Sequence, residues 1–279
     1  MTRSKIPGAK IPGAKTYRGR LLGAACAALL ALAGVAAQGT PGLGGSALAM
    51  TVQPVVIDLK PTGRGMSQIV TVQNTFANPL PVELHAEELS FDDKGAHPSD
   101  TPTNDLLIFP PQAVIQPGET QSFRIQWVGD PALAQSKHYY VPVAQMPVKL
   151  PEGQSAIQIL YNFQVLASVG PAGGKPSLAL SKSEIGTDAE GKPVPIVYVA
   201  NTSNTHGYLS RGKLRIIEKD AAGKAVFTRT IPGPEIQQTI GFGLIAPGQT
   251  RRIAVPIELP LTAAAGGSLE AQFSSDEGR

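Results

Sequence analysis

After residue 50, apolar residues recur at every second position in short runs, and the three-and-four spacing of a helix face is missing. "VVIDL", "QIVTVQN", "PVELHAEEL", "SFRIQWV", "YYVPVAQM", "IVYVAN", "KLRIIE" and "RIAVPIEL" each have strand length and are separated by turns. The 25 prolines and 30 glycines of the chain supply those breaks. This pattern predicts an all-β protein of sandwich or barrel architecture. One run is longer than the rest: "QSAIQILYNFQVLASV", residues 154–169, carries no charge. Ile157, Ile159, Tyr161, Phe163, Val165, Ala167 and Val169 share one face of a predicted strand over 155–169. A long uncharged strand at a sheet edge templates pairing with another chain. Two assignments fit this face, the protein's own core or a groove in a partner, and a one-residue slip in register would exchange the faces.

A repeat lies within the pattern. "VTVQN" ends at Asn74 and Gly118 of "PGETQSFRIQW" follows 44 residues later, while "VYVAN" ends at Asn201 and Gly248 of "PGQTRRIAVPI" follows 47 later. The same order at similar separation predicts two copies of one fold. "GPAGGKP", residues 170–176, reads as the elbow between them. The expectation is two immunoglobulin-like β-sandwich domains, over 50–170 and 175–279, joined by a short Gly/Pro elbow.

Residues 1–49 differ from the rest of the chain. Six basic residues (Arg3, Lys5, Lys10, Lys15, Arg18 and Arg20) and no acid precede the apolar run "LLGAACAALLALAGVAA", the layout of an export signal. Small residues permit cleavage after Ala49 or after Ala37, with Ala49 preferred, and the apolar run is short for a membrane anchor. Cleavage changes the charge: 24 basic residues become 18 against 21 acidic ones, near −3 rather than +3. No basic patch then argues for nucleic acid. Cys26, the only cysteine, leaves with the signal, so the cores alone stabilise the mature chain.

Candidate chemistry is sparse. "HAEE" at 85–88 lacks the second histidine of a zinc-protease helix and falls in a strand-like run. "DDKG" at 92–95 lacks the carboxylate spacing of a calcium loop and reads as a hairpin turn. "GFGLIAPG" at 241–248 has no strand and helix around it to cradle a phosphate, and reads as a loop feeding a strand. His138 and His206 stand alone in the sequence, and no serine sits in a Gly-x-Ser-x-Gly elbow. The reading is a non-enzymatic protein without cofactor or metal.

"LLIFPPQAVIQPGETQSFRIQW" (106–127), "SKHYYVPVAQMPVKLP" (136–151) and the strand ending at Pro171 resemble domain one of the PapD-like periplasmic pilus-assembly chaperones. Phe109-Pro110-Pro111, Pro117-Gly118, Arg124, Ser136, Tyr139 and Pro147 follow that family's order, and "VYVANTSN" with "PGQTRR" resembles its second domain more loosely. The resemblance implies that the last strand of domain one is lent to a pilus or fimbrial subunit lacking its own final strand. Ile157, Ile159 and Tyr161, joined by Phe163, would then enter the subunit groove. The family also implies a basic pair that anchors the client's terminal carboxylate, but the corresponding positions here are Val56 and Leu166. Lys60 and Arg64 lie just beyond the first strand, and Ser168, backbone groups or another base are candidate substitutes.

The resemblance thus implies a periplasmic chaperone that caps subunits and delivers them to an outer-membrane usher, with no nucleic acid partner and no membrane span after signal cleavage. The alternative is a non-enzymatic envelope protein of structural or carbohydrate- or ligand-binding type. Its discriminating feature would be an exposed aromatic platform, whereas Trp127, the only tryptophan, sits in a strand where core burial is expected. A hydrolase ranks last.

Overall fold

The computed structural model describes residues 50–147 and 159–276. The first lobe holds β1 (Thr51–Gln53), β2 (Val56–Leu59), β3 (Ser67–Gln73), β4 (Leu80–Leu84), β5 (Glu87–Phe91) and β6 (Ala96–Pro102). It continues with β7 (Leu106–Phe109), β8 (Gln112–Ile115), β9 (Thr120–Trp127), β10 (Lys137–Gln145) and β11 (Asn162–Val169). One sheet runs in the order β1-β3-β9-β7 and the facing one in the order β2-β11-β10-β4-β8, with the β5–β6 hairpin attached through β10. Alternation explains the packing: in β9, Arg124 is exposed and Gln126 half-buried, while Phe123, Ile125 and Trp127 are buried. Those side chains meet Val141 and Val143 of β10 and Val165, Ala167 and Val169 of β11 in a single core. Each valine, isoleucine or phenylalanine among them, fully buried, contributes about 1.5 to 3 kcal/mol.

The second lobe holds β12 (Leu178–Thr187), β13 (Pro193–Asn201), β14 (Gly207–Tyr208), β15 (Gly212–Lys219), β16 (Ala225–Pro232), the helix α1 (Gly233–Thr239), β17 (Leu244–Ile245), β18 (Thr250–Ala254) and β19 (Ser268–Ser275). Sheet β12-β13-β18 faces sheet β16-β15-β19, and Val197, Val199, Leu214, Ile216 and Ile253 fill the space between. The two lobes are immunoglobulin-like β-sandwiches. Helix α1 escaped the sequence reading for a physical reason. It is two turns long, starts on Gly233-Pro234, and buries Ile236 as its one large apolar residue, so no 3.6-residue period is written.

The repeated asparagine makes the same corner twice. Asn74 donates its side-chain amide to the carbonyls of Asn78 and Ile115, accepts from the Phe76 N–H, and receives the Gly118 N–H on its own carbonyl. Asn201 donates to the carbonyls of Thr205 and Ile245, accepts from the Ser203 N–H, and receives the Gly248 N–H. Both are buried, and a short polar side chain that satisfies three backbone groups is hard to replace in such a place. Gly118 and Gly248 both adopt positive φ, +79° and +70°, which the turn requires and a side chain would strain.

Candidate functional site

The long strand of the sequence reading is shorter here. β11 begins at Asn162, and residues 154–158, Ile157 among them, lie outside the described residues. The odd-numbered face is the core face, and it changes character along its length. Val165, Ala167 and Val169 are fully buried, Tyr161 and Phe163 pack half-buried against the core, and Ile159 is 70% exposed. Leu160 beside it is 48% exposed. Tyr161 leans on Phe76 with ring centroids 5.6 Å apart.

The edges of β11 are also unequal. On one side β10 pairs antiparallel with it over Asn162–Val169. On the other, β2 runs parallel and covers Leu166–Val169 alone, beginning with the Leu166 N–H donated to the Val55 carbonyl. By the two-residue period of a strand, the Asn162 and Gln164 N–H groups point to the same side as that of Leu166. No strand among the described residues lies there.

Val56 and Leu166, the two positions where a basic pair was expected from resemblance, are direct neighbours in the β2–β11 ladder. Tyr140 of β10 continues the same row. This row faces the second lobe and forms one wall of a cavity of about 310 Å³, closed opposite by Phe242, Leu244 and Arg251. Lys60 and Arg64 do not line it, and Ser168 is engaged elsewhere. The nearest base was therefore missed because it comes from β18 of the other lobe, 85 residues beyond Leu166 in sequence.

Two contacts hold the lobes around this cleft. The first is a polar joint at its base. Asp58 of β2 receives the His206 Nε2–H at 3.0 Å, the Tyr208 hydroxyl at 2.8 Å and the Arg211 guanidinium. The Ser136 hydroxyl bridges to both the backbone N–H and Nδ1 of His206, at 3.0 and 2.9 Å. The buried Ser168 hydroxyl joins Tyr208 at 3.1 Å to His138 Nδ1 at 3.0 Å. Burial alone would raise the Asp58 carboxyl, but hydrogen bonds from His206 and Arg211 and their charges hold it well below the usual carboxylate range. Burial and the neighbouring His206 ring push His138 down to about 3, so it stays neutral. The two histidines that stood alone in the sequence meet here, with centroids 5.1 Å apart.

The second contact is the β5–β6 hairpin. Asp92 caps its turn by accepting the N–H groups of Lys94 and Gly95. The turn then reaches the second lobe, where its carbonyls receive the Gln249 side chain, the Arg252 N–H and Arg251 Nε. "DDKG" is a turn, as its residues suggest, and its docking role was not written locally. His85 and Glu87 bond at 2.7 Å in an exposed position. Trp127 is fully buried. No group of three or more metal-ligating side chains occurs among the described residues, and none of their helices is long and apolar enough to cross a membrane.

Residues 49–172 match the family model described as pili and flagellar-assembly chaperone, PapD N-terminal domain. Among solved structures, a chain of the SafA pilin complex with the SafB chaperone of Salmonella enterica is 13% identical, with TM-score 0.48 over 82% of this chain and 96% of that one. The E. coli chaperone DraB is 15% identical, with TM-score 0.45 over 82% and 98%. A chain of the CsuC–CsuE chaperone and tip adhesion subunit pre-assembly complex of Acinetobacter baumannii is 13% identical, with TM-score 0.45 over 74% and 90%. No curated protein matches the sequence. Over residues 49–172 the chain is thus similar to the N-terminal domain of the PapD-like pilus-assembly chaperones.

Proposed function

We propose that this protein is a periplasmic chaperone that caps pilus or fimbrial subunits by lending them the first half of the run 155–169, which ends in β11, and then hands them to an outer-membrane usher. We take residues 1–49 as the export signal and 50–170 and 175–279 as the two domains. The observation that carries the reading is the state of β11. Its core face continues past the lobe's own core to half-buried Tyr161 and Phe163 and exposed Ile159, beside an edge that no strand among the described residues pairs.

An incoming strand on that edge gains main-chain hydrogen bonds from Asn162 and Gln164, and alternate side chains fill its pockets, which is the logic of strand addition. Ile157, Ile159 and Tyr161, with Phe163, are the inserted set. Burying three such side chains contributes roughly 5 to 9 kcal/mol before ordering and association costs are subtracted. The mechanism needs no nucleotide, cofactor or metal: it substitutes one strand edge for another and blocks premature polymerisation while it does so. The Arg/Tyr-lined cleft lies at the end of the open edge and would receive the end of the bound strand.

The test is co-expression in a bacterial periplasm with a pilus subunit from the same genome, followed by pull-down of the wild type and of the Ile159→Asp, Tyr161→Asp double variant. One-to-one capture by the wild type, lost in the variant, is the expected result. Equal capture by both refutes the strand assignment.

A further inference from the structure

His138 is buried at the joint with one ring nitrogen bonded to Ser168 and the other without a hydrogen-bond partner among the described residues. Proton counting fixes its state. Tyr208 has one hydroxyl proton and gives it to Asp58, so the Ser168 hydroxyl gives its own to the Tyr208 oxygen, and His138 Nδ1–H donates to Ser168. Nε2 is left as a bare lone pair. A second proton on the ring would make an N–H with no acceptor in a buried place, and would set a cation edge-on to His206, 5.1 Å away between centroids.

The groups around His138 do not relieve that cost. β11 brings only the Ser168 hydroxyl, and β5 brings the Phe91 ring, edge-on at 5.2 Å, and the exposed Glu88, which makes no hydrogen bond to it. Lys137, its neighbour in β10, is bonded to Asp105. β2 brings Asp58, already engaged with His206, Tyr208 and Arg211 of the second lobe. The Asp58 charge favours a proton on His138, but burial and the His206 ring outweigh it.

The joint also sets the width of the cleft. On the first lobe, Val56 of the cleft wall stands two residues before Asp58 in β2. On the second, β14 carries Tyr208 and pairs with β17, Gly207 opposite Ile245 and Tyr208 opposite Leu244. The Leu209 N–H donates to the Gly243 carbonyl at 2.9 Å, and the Ser210 N–H and hydroxyl both donate to the Phe242 carbonyl, at 3.2 and 3.0 Å. The segment that grips Asp58 and the segment that places Phe242 and Leu244 in the cleft are therefore one hydrogen-bonded unit. If Asp58 lets go of 206–211, the two cleft walls part with it.

We propose that the joint is an acid-operated latch on the cleft: a proton taken up by His138 separates Asp58 and Ser168 from residues 206–211, and so moves Phe242 and Leu244 away from Val56 and Leu166. That the latch governs a bound subunit rests on the chaperone reading. The latch itself does not.

Two backbone amides cross the joint and report its opening. The Ser136 N–H donates to the Asn204 carbonyl and the His206 N–H to the Ser136 hydroxyl, both at 3.0 Å. Their hydrogen exchange in the protein as exported, corrected for the intrinsic effect of pH, gives the opening equilibrium. A histidine that is free to charge near 6.5 only when the joint is open should make opening about thirty-fold more frequent at pH 5 than at pH 7.5. Amides inside each lobe, such as those of Ile125 and Val199, should keep their protection. His138→Asn, which keeps a donor for Ser168, and His138→Phe, which keeps a ring, should each flatten the change to less than about three-fold. A wild type without the slope, or a slope that survives in either variant that folds, overturns the latch.

The second experiment forms the complex with a co-expressed pilus subunit at pH 7.5 and moves it to pH 5. The wild type should release the subunit at least about ten-fold faster there, and the His138 variants should not. Equal release by wild type and variants overturns the link to the subunit, whatever the exchange slope shows. If the wild type holds no subunit at pH 7.5, the chaperone reading and that link fall together, and the exchange slope alone decides the latch.

Discussion

The two places where the lobes face each other are built on opposite rules. At the joint, every charge has a partner: Asp58 gathers His206, Tyr208 and Arg211, and Ser136 and Ser168 close the network, with one His138 nitrogen left over. In the cleft, the Val56–Leu166–Tyr140 row and Arg251 set a phenol and a cation with no carboxylate partner among the described residues over an apolar floor. A saturated interface fixes the lobes, because each group it would release on opening is costly to leave unpaired. An unsaturated one is free to bind something else. The comparison separates residues whose loss should unfold or loosen the protein from residues whose loss should only empty it.

Asp58→Ala should show the largest effect. It strands three donors at once, and about 3 kcal/mol of stability should disappear in urea unfolding, with the two lobes no longer melting together. A loss below about 1 kcal/mol would mean that the joint contributes no more than a surface ion pair.

Acid should loosen the joint next. His138 takes up its proton in the unfolded chain near pH 6.5 but in the folded one only near 3, so the unfolded state binds more protons throughout that window. Stability therefore rises with pH across it: the contribution is complete above about 6.5 and is lost as pH falls. Between pH 7.5 and 5 this one group should cost about 2 kcal/mol, at 1.36 kcal/mol per unit. His138→Phe should remove that slope in paired urea titrations. The depressed Asp58 carboxyl acts in the same direction, but further into acid.

Tyr208→Phe removes one hydroxyl that bonds Asp58 and Ser168, and about 1 kcal/mol should be lost in the same assay. Smallest of all, Tyr140→Phe and Leu166→Val in the cleft should each change stability by less than about 1 kcal/mol while weakening subunit capture. A cleft substitution that destabilises as much as Asp58→Ala would erase the distinction between the two regions.

Much of the architecture was legible because it is local. Period-two alternation marks β9, β10 and β15, and the Asn and Pro-Gly signals mark a corner whose hydrogen bonds recur almost bond for bond at Asn74 and Asn201. The face of β11 was legible too, and its odd-numbered residues do form the core face. What the face meets was not, because alternation continues unchanged from Val165 to Ile159 while burial falls from complete to slight. His138 and His206 are 68 residues apart and lie in different lobes, so nothing in either neighbourhood announces their contact. Arg251 was hidden by the same kind of distance. Beside Arg252 it looks like half of a basic pair on an exposed strand, and its place at the cleft is set by the 92–95 turn, whose Lys94 carbonyl receives its Nε.

The central claim is that the open half of β11 is a strand edge waiting for another chain, and amide hydrogen exchange reads that edge directly. In the free protein the Asn162 and Gln164 N–H groups should exchange fast, while Leu166 and Ser168, covered by β2, exchange slowly. In a complex with a co-expressed pilus subunit, Asn162 and Gln164 should slow to match them. If these two amides remain fast in a stable complex, the subunit is held by some other surface and the account is wrong.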